Sequence, residues 1–214
     1  MNERIKIILV DDHAVVRAGF RMLLATSEAI DVIGEASRGE EAIQQYLNLK
    51  PDMLVMDLSM PGIGGLETIH RIIQRDSNAL ILVFSVHHEQ VYVNRALNAG
   101  AKGYITKNSA PEILHEAITA IMQGESYVEQ GLTKIHGKLK CQSDYQAIIV
   151  EFSQREFDVF RMLAQGMSVH KIADEICLGY KTVANYATQI RKKLQVDSLI
   201  ELAHIAKDLG IIQS

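Results

Sequence analysis

Over residues 1–124, five short apolar runs alternate with five longer segments in which apolar residues recur at helical spacing. Strands that alternate with helices of this length predict βαβ units and an α/β fold, a doubly wound parallel sheet with helices on both faces. The predicted strands are residues 5–10, 31–36, 52–56, 79–84 and 102–106, and the predicted helices are residues 14–26, 39–49, 65–74, 88–98 and 110–122.

The alternation stops near residue 124, and the pattern from residue 152 onward is entirely helical. Ser153 with Glu156 three residues later forms a capping box, which predicts the start of the first of these helices. The intervening segment is mixed in composition and weakly periodic, which indicates a linker with room for one short helix. We therefore predict an α/β domain over residues 1–124, a linker over 125–150, and an all-α domain over 151–214 with four helices near 153–165, 168–176, 180–194 and 198–209.

Composition excludes several classes of protein. No apolar run approaches the roughly 18 residues that span a bilayer, and the N-terminus lacks the features of a signal peptide. Two cysteines, Cys141 and Cys177, are too few for a disulfide framework or a Cys-rich zinc site. We expect a cytoplasmic protein with no membrane partner.

Acidic residues follow the ends of two predicted strands: Asp11 and Asp12 after the first, Asp57 after the third. In parallel sheets the carboxyl ends of the strands form one edge, where ligands bind. Like charges held together destabilise a fold, and Mg²⁺ bound by carboxylates, a carbonyl and waters relieves that repulsion. Lys107, after the fifth strand, adds the positive charge that suits a phosphoryl group. We predict that Asp57 is a nucleophile that forms an acyl phosphate.

Other interpretations of this pattern are weaker. A single aspartate after a strand is often only a helix cap, but here acids, a hydroxyl (Ser85) and a lysine follow four different strands. A phosphatase with an aspartate nucleophile places a second aspartate two residues later, where this chain has Ser59. A dinucleotide-binding domain needs a glycine-rich turn where this chain has "VDDHAVV". The adjacent His87 and His88 are interpreted as surface residues.

Residues 4–122 resemble the receiver domain of bacterial two-component response regulators, on "ILVDDH", "VMDLSMPGIGGLE", "VFSVHHE" and "NAGAKGYITK". The resemblance implies a flavodoxin-like (βα)5 fold and phosphotransfer to Asp57 from the phosphohistidine of a sensor histidine kinase or phosphotransfer domain. It implies no enzyme activity beyond self-phosphorylation and slow autodephosphorylation. One departure is Asn108, where many receivers have proline. The implied site residues are Asp11, Asp12, Asp57 and the Ser59 carbonyl for Mg²⁺, with Ser85, Lys107 and Tyr104 as phosphoryl-binding or switch residues.

Residues 168–176 and 180–194, separated by "CLG", have the pattern of a helix-turn-helix. Residues 181–196 carry four basic residues and no acidic one, although residues 151–214 hold eight of each sign. The spacing of apolar residues over 180–194 predicts that Val183, Ala187, Ile190 and Leu194 face inward. The opposite face is polar and could reach base edges and phosphates. The residues predicted to contact double-stranded DNA are Lys181, Thr182, Ala184, Asn185, Thr188, Gln189, Arg191 and Lys192.

The helical part resembles the LuxR-type helix-turn-helix domain, on "FSQREFDVFRMLAQGMSVHKIADEICLGYKTVANY", "IRKKLQV" and "ELAHIA". The whole chain is thus similar to the NarL/FixJ class of response regulators, with features of its GacA/UvrY/LetA-type subgroup. The resemblance implies a transcription factor that forms homodimers when phosphorylated. Gly179 in place of serine, Ala184 in place of a polar residue and Leu199 in place of arginine are departures. They keep open an alternative, a phospho-switched protein-interaction module that does not bind DNA.

Overall fold

The predicted strands and helices of the α/β part are all present in the computed structural model, which describes residues 4–132 and 140–212. Every boundary lies within two residues of its predicted position. The strands are β1 (Ile5–Val10), β2 (Ile30–Ala36), β3 (Met53–Met56), β4 (Ile81–Ser85), β5 (Gly103–Thr106) and a short additional β6 (Tyr127–Val128), and the helices are α1 (Ala14–Leu24), α2 (Gly39–Leu49), α3 (Gly64–Arg75), α4 (Gln90–Ala99) and α5 (Pro111–Met122).

The six strands form one parallel sheet in the order β2-β1-β3-β4-β5-β6. All four residues of β3 are buried, as expected for a central strand covered by helices on both faces. Val10 at the end of β1 pairs with Met56 at the end of β3, and Ser85 pairs with Thr106. The register therefore aligns the carboxyl ends of β1, β3, β4 and β5 at one edge, which confirms the predicted α/β fold class.

The strand β6 lies within the segment predicted to be a linker. Its two residues pair with Gly103 and Tyr104 of β5. No sequence pattern predicted this strand, because two residues are too few to show alternation. Residues 133–139 of the predicted linker lie outside the described residues, and the limits of the linker, 125–150, remain a prediction.

The described chain divides into two compact units, residues 4–88 with 92–132, and residues 140–212 with 89–91. The second unit is all-α, and its first helix occupies the end of the predicted linker. Its helices are α6 (Lys140–Val150), α7 (Gln154–Ala164), α8 (Val169–Glu175), α9 (Tyr180–Leu194) and α10 (Leu199–Asp208).

Aliphatic and phenylalanine side chains form the core of the second unit. Phe160 and Ile190 are fully buried, and the rings of Phe152 and Phe160 meet edge to face at 5.9 Å. The predicted capping box is confirmed: the Ser153 hydroxyl accepts from the Glu156 N–H, and the Glu156 carboxylate accepts from the Ser153 N–H. Within the described residues, no helix is both long and apolar enough to cross a bilayer.

Candidate functional site

Asp11 and Asp57 lie side by side where β1 and β3 end. The Asp57 N–H donates to the Val10 carbonyl at 2.9 Å, which continues the strand pairing by one residue. Both aspartates are buried, with 5% and 3% of their surface exposed. Two carboxylates this buried need a compensating charge.

Lys107 supplies that charge. Its Nζ lies 2.5 Å from Asp11 Oδ2 and 2.8 Å from Asp57 Oδ2. Burial lowers the pKa of Lys107, but the hydrogen bonds and charges of the two aspartates outweigh burial and raise this pKa above its ordinary 10.5. The lysine bridges the two carboxylates, and its position at this edge of the sheet agrees with the sequence prediction. Its pairing with a phosphoryl group stays a prediction.

Asp12 lies beside Asp11 at the same edge. Its Oδ1 atom is buried and accepts no hydrogen bond, and His13 Nδ1 lies 2.8 Å from it. Ligand atoms of Asp11, Asp12 and His13 all lie within 4.8 Å of one another. Carboxylate oxygens are the ligands that Mg²⁺ prefers, so this edge of the sheet fits a hard divalent cation. The sequence prediction did not include His13 in the cluster.

Ser85 and Tyr104, the predicted switch residues, both have fully buried side chains. The Tyr104 hydroxyl donates to the His87 carbonyl at 2.9 Å, and the Ser85 hydroxyl accepts from the His87 N–H at 3.5 Å. One residue of the loop after β4 thus contacts both predicted switch side chains.

His87 departs only in part from its interpretation as a surface residue. Its ring is half-buried, stacks on Tyr92 with centroids 3.9 Å apart, and lies 3.0 Å from the hydroxyl of the exposed Ser59. His88 is exposed, as predicted. The two neighbouring histidines point to different environments because the chain between β4 and α4 is a loop, where side-chain directions do not follow helical spacing.

Gly65, the second residue of α3, determines how closely that helix approaches Asp57. The Gly65 N–H donates to the Leu58 carbonyl at 3.0 Å. A Cβ atom at residue 65 would lie 2.4 Å from the Asp57 carbonyl oxygen. Only glycine fits this contact without displacing the backbone of Asp57.

In the second unit, α8 and α9 form the predicted helix-turn-helix. The Ser168 hydroxyl caps α8 by accepting from the Lys171 N–H, whereas Gly179 at the start of α9 provides no side-chain cap. The inward stripe of α9 is confirmed, since Val183, Ala187, Ile190 and Leu194 are all buried.

The outward face of α9 carries the residues predicted to contact DNA. Two of these side chains bond to their own helix: the Thr188 hydroxyl donates to the Ala184 carbonyl, and Arg191 Nε donates to the Ala187 carbonyl. Arg191 and Ala184 are half-buried. The exposed residues of the set are Lys181, Thr182, Asn185, Thr188, Gln189 and Lys192.

Two further residues of the helix-turn-helix make contacts that sequence reasoning did not predict. Tyr180, the first residue of α9, is 48% exposed, and its ring lies 4.3 Å from that of the exposed His170 on α8. Lys193 belongs to the basic run of α9, but its Nζ lies 2.5 Å from Glu156 on α7. Lys193 therefore joins two helices of the second unit.

Comparison with known proteins assigns the family. Residues 7–119 match the response regulator receiver domain, and residues 150–206 match the luxR family of bacterial regulatory proteins. The chain belongs to the bacterial two-component response regulators. It combines a receiver domain with a LuxR-type DNA-binding domain, as in the NarL/FixJ class, which confirms the resemblance seen in the sequence.

Relatives of this response regulator match it over nearly its whole length. The transcriptional activator protein ExaE of Pseudomonas putida is 40% identical over 212 residues, 97% of this chain and 98% of ExaE. The response regulator UvrY of Escherichia coli (strain K12) is 35% identical over 97% of this chain and 95% of UvrY. The printed names describe one relative as a transcriptional activator and the other as a response regulator.

A solved structure also covers both parts of the regulator. RcsB from Salmonella enterica serovar Typhimurium, bound to promoter rprA in the presence of the phosphomimetic BeF3⁻, is 25% identical. The match has a TM-score of 0.66 and covers 98% of this chain and 100% of RcsB.

Proposed function

We propose that Asp57 accepts a phosphoryl group from the phosphohistidine of a sensor histidine kinase or phosphotransfer domain. The observation that carries this proposal is the buried Asp57 carboxylate, bridged to Asp11 by Lys107 at the carboxyl edge of the sheet. A carboxylate oxygen of Asp57 attacks phosphorus, the P–N bond to the donor imidazole breaks, and the imidazole leaves with its electron pair and takes up a proton. The product is an acyl phosphate on Asp57.

Different residues of the receiver domain would hold the metal ion and pair with the phosphoryl group. Asp11, Asp12, Asp57 and the Ser59 carbonyl would hold Mg²⁺, which when bound neutralises charge between the carboxylate and the phosphoryl oxygens. Lys107, whose pKa is raised by the two aspartates, is placed to pair with a phosphoryl oxygen.

Ser85 and Tyr104 are proposed to move in response to the phosphoryl group on Asp57. The phosphoryl group adds charge and acceptor oxygens, and Ser85 donates its hydroxyl hydrogen to one of them. That movement involves the loop whose His87 carbonyl accepts from Tyr104. Tyr104 then rotates, and the surface of the receiver domain changes.

The output is proposed to be binding of double-stranded DNA by a phosphorylated homodimer. The exposed N-terminal half of α9 would enter the major groove, with α10 supporting dimerisation. RcsB, which covers both parts of the chain, has been solved on a promoter. We propose a cytoplasmic location, where such a regulator meets its DNA, and domain limits of 1–124 and 151–214 joined by a linker over 125–150.

Intact-protein mass spectrometry tests the phosphorylation site. The full-length chain is incubated with acetyl phosphate and Mg²⁺, in parallel with Asp57→Asn and with an EDTA control. We expect the mass of one phosphoryl group on the wild type alone. Equal phosphorylation of Asp57→Asn would overturn the assignment of Asp57.

DNA affinity tests the output. A duplex selected from a random-sequence library by the BeF3⁻-loaded chain serves as the probe, at several salt concentrations. We expect tighter binding with BeF3⁻, and we expect Lys181→Ala and Lys192→Ala to weaken binding and to reduce the salt slope by about one each. Lys50→Ala, an exposed lysine of the first unit, is the matched control. Two outcomes would favour a protein-interaction module: selection yields no bound duplex, or the DNA affinity of Lys181→Ala and of Lys192→Ala equals that of the wild type.

A further inference from the structure

Glu129 binds the turn that carries Lys107. Its Oε2 atom accepts from the Thr106 N–H at 2.8 Å and from the Ser109 hydroxyl at 2.6 Å, one residue before and two residues after Lys107. The Thr106 and Ser109 hydroxyls also lie 2.9 Å apart. The carboxylate therefore holds both ends of the four-residue turn 106–109.

The backbone fixes Glu129 in this position. Val128 pairs with Tyr104 in the sheet, and the Glu129 N–H donates to the Tyr104 carbonyl at 3.0 Å. The half-buried Glu129 thus contacts the backbone of the predicted switch tyrosine and, through its side chain, the turn that follows β5. The pairing of β6 beside β5 is what places it there.

Asn108 follows Lys107 in this turn. A proline at residue 108 would fix one backbone angle next to the lysine, whereas asparagine leaves that angle free. The turn closes through the Ser109 N–H and the Thr106 carbonyl at 3.1 Å, and the Lys107 N–H donates to the Ser85 carbonyl at 2.8 Å. The bonds to Glu129 add restraints that tie the turn to a segment 20 residues further along the chain.

We propose that Glu129 is a positioning residue for Lys107, and that it makes the start of the linker part of the phosphorylation site. The inference rests on the proposed function of Asp57. When Lys107 pairs with a phosphoryl oxygen, the turn that carries it is held by Glu129. The coupling between the two sites is a single free energy that acts in both directions. Phosphorylation therefore stabilises the ordered conformation of residues 127–129 by the same free energy by which that conformation stabilises the phosphorylated state.

The test uses the full-length chain with Glu129→Gln, which keeps the size of the side chain and removes its charge. A hydrogen bond to a charged acceptor contributes more than one to a neutral acceptor, so we expect phosphorylation by acetyl phosphate and BeF3⁻ affinity each to fall about fivefold. Hydrogen exchange at the Thr106 amide should become faster. Glu125→Gln, an exposed glutamate on the same segment, should match the wild type in all three measurements.

A double-mutant cycle separates positioning from general loss of structure. Ser109→Ala removes one of the two donors to Glu129, so its effect should be less than additive with that of Glu129→Gln. Additive effects of Glu129→Gln and Ser109→Ala would overturn the proposal. Wild-type rates of both phosphorylation and Thr106 amide exchange in Glu129→Gln would also overturn it. Faster exchange with unchanged phosphorylation would overturn the role of Glu129 in positioning Lys107. If the wild type itself takes up no phosphoryl group, the proposed function of Asp57 fails, and the positioning role fails with it.

Discussion

Replacing Lys193 on α9 by methionine should destabilise the second unit, because Glu156 on α7 loses its charged partner. Lys193 Nζ lies 2.5 Å from Glu156 Oε1 and 5.4 Å from the centre of the Phe152 ring. Methionine preserves most of the aliphatic stem and removes the ammonium group. The Glu156 carboxylate then keeps its bonds from the start of α7 but loses its charged partner.

Burial sets the size of the expected effect. Breaking a buried ion pair costs about 3–5 kcal/mol, whereas an exposed pair contributes about 0.2–1 kcal/mol. Here the Glu156 side chain is 10% exposed and the Lys193 side chain is 46% exposed, so solvent screens one partner and not the other. We expect Lys193→Met to lower the free energy of unfolding of the second unit by about 2 kcal/mol at pH 7.

The effect should depend on pH in a defined direction. Burial raises the pKa of Glu156, but the hydrogen bonds from Lys193 and Ser153 outweigh it and bring the pKa below its ordinary 4.5. A carboxyl group whose pKa is lower in the folded than in the unfolded state stabilises the fold fully above pH 4.5. This stabilisation is lost as the pH falls through the folded-state pKa. The difference between wild type and Lys193→Met should therefore shrink at pH 3.5.

Native-state hydrogen exchange of the slowest amides in α7 and α9 is the assay, because it reports on the second unit separately from the first. Lys192→Met, an exposed neighbour on α9, makes the same change of charge and should leave exchange close to that of the wild type. Equal losses in the two variants, or a loss from Lys193→Met that is the same at pH 7 and pH 3.5, would refute the reasoning.

Three further substitutions test single contacts. Gly65→Ala places a Cβ atom 2.4 Å from the Asp57 carbonyl, so it should cost about 1–3 kcal/mol and slow phosphorylation by acetyl phosphate, with mass spectrometry as the check. Ser168→Ala removes the cap of α8 and should lower the free energy of unfolding by about 1 kcal/mol in denaturant titrations. Gly179→Ser adds the missing cap of α9, where a Cβ atom meets nothing nearer than Thr182 at 3.8 Å, and should raise stability by about 0.3 kcal/mol; destabilisation would contradict the open space seen there.

The positions of the aspartates and of Lys107 could be predicted because they depend on a simple rule. Parallel strands end at a common edge, so residues that follow strands meet even when 50 or more positions separate them. The bonds from Lys107 to Asp11 and Asp57 agree with that prediction. The roles of these residues in phosphorylation and metal binding remain predictions.

The missed contacts depend on geometry that has no sequence period. Glu129 reaches the Lys107 turn because of the register of a two-residue strand. His87 meets Tyr92 and Ser59 because a loop turns its ring away from His88. Lys193 looks like one of three consecutive basic residues that could meet DNA, and only the packing of α9 on α7 separates it from its neighbours.

The division of α9 into two separate sets of side chains affects how such a regulator can change over evolution. The side chains that hold the helix in the fold are the buried stripe and Lys193, which pairs with Glu156 on α7, whereas the residues predicted to contact DNA lie on the outward face. Under the proposed function, exchange of the exposed set would redirect a duplicated copy of the gene to new promoters while its fold and its input signal stay intact. Selection can act on target choice and on stability at different positions of the same helix.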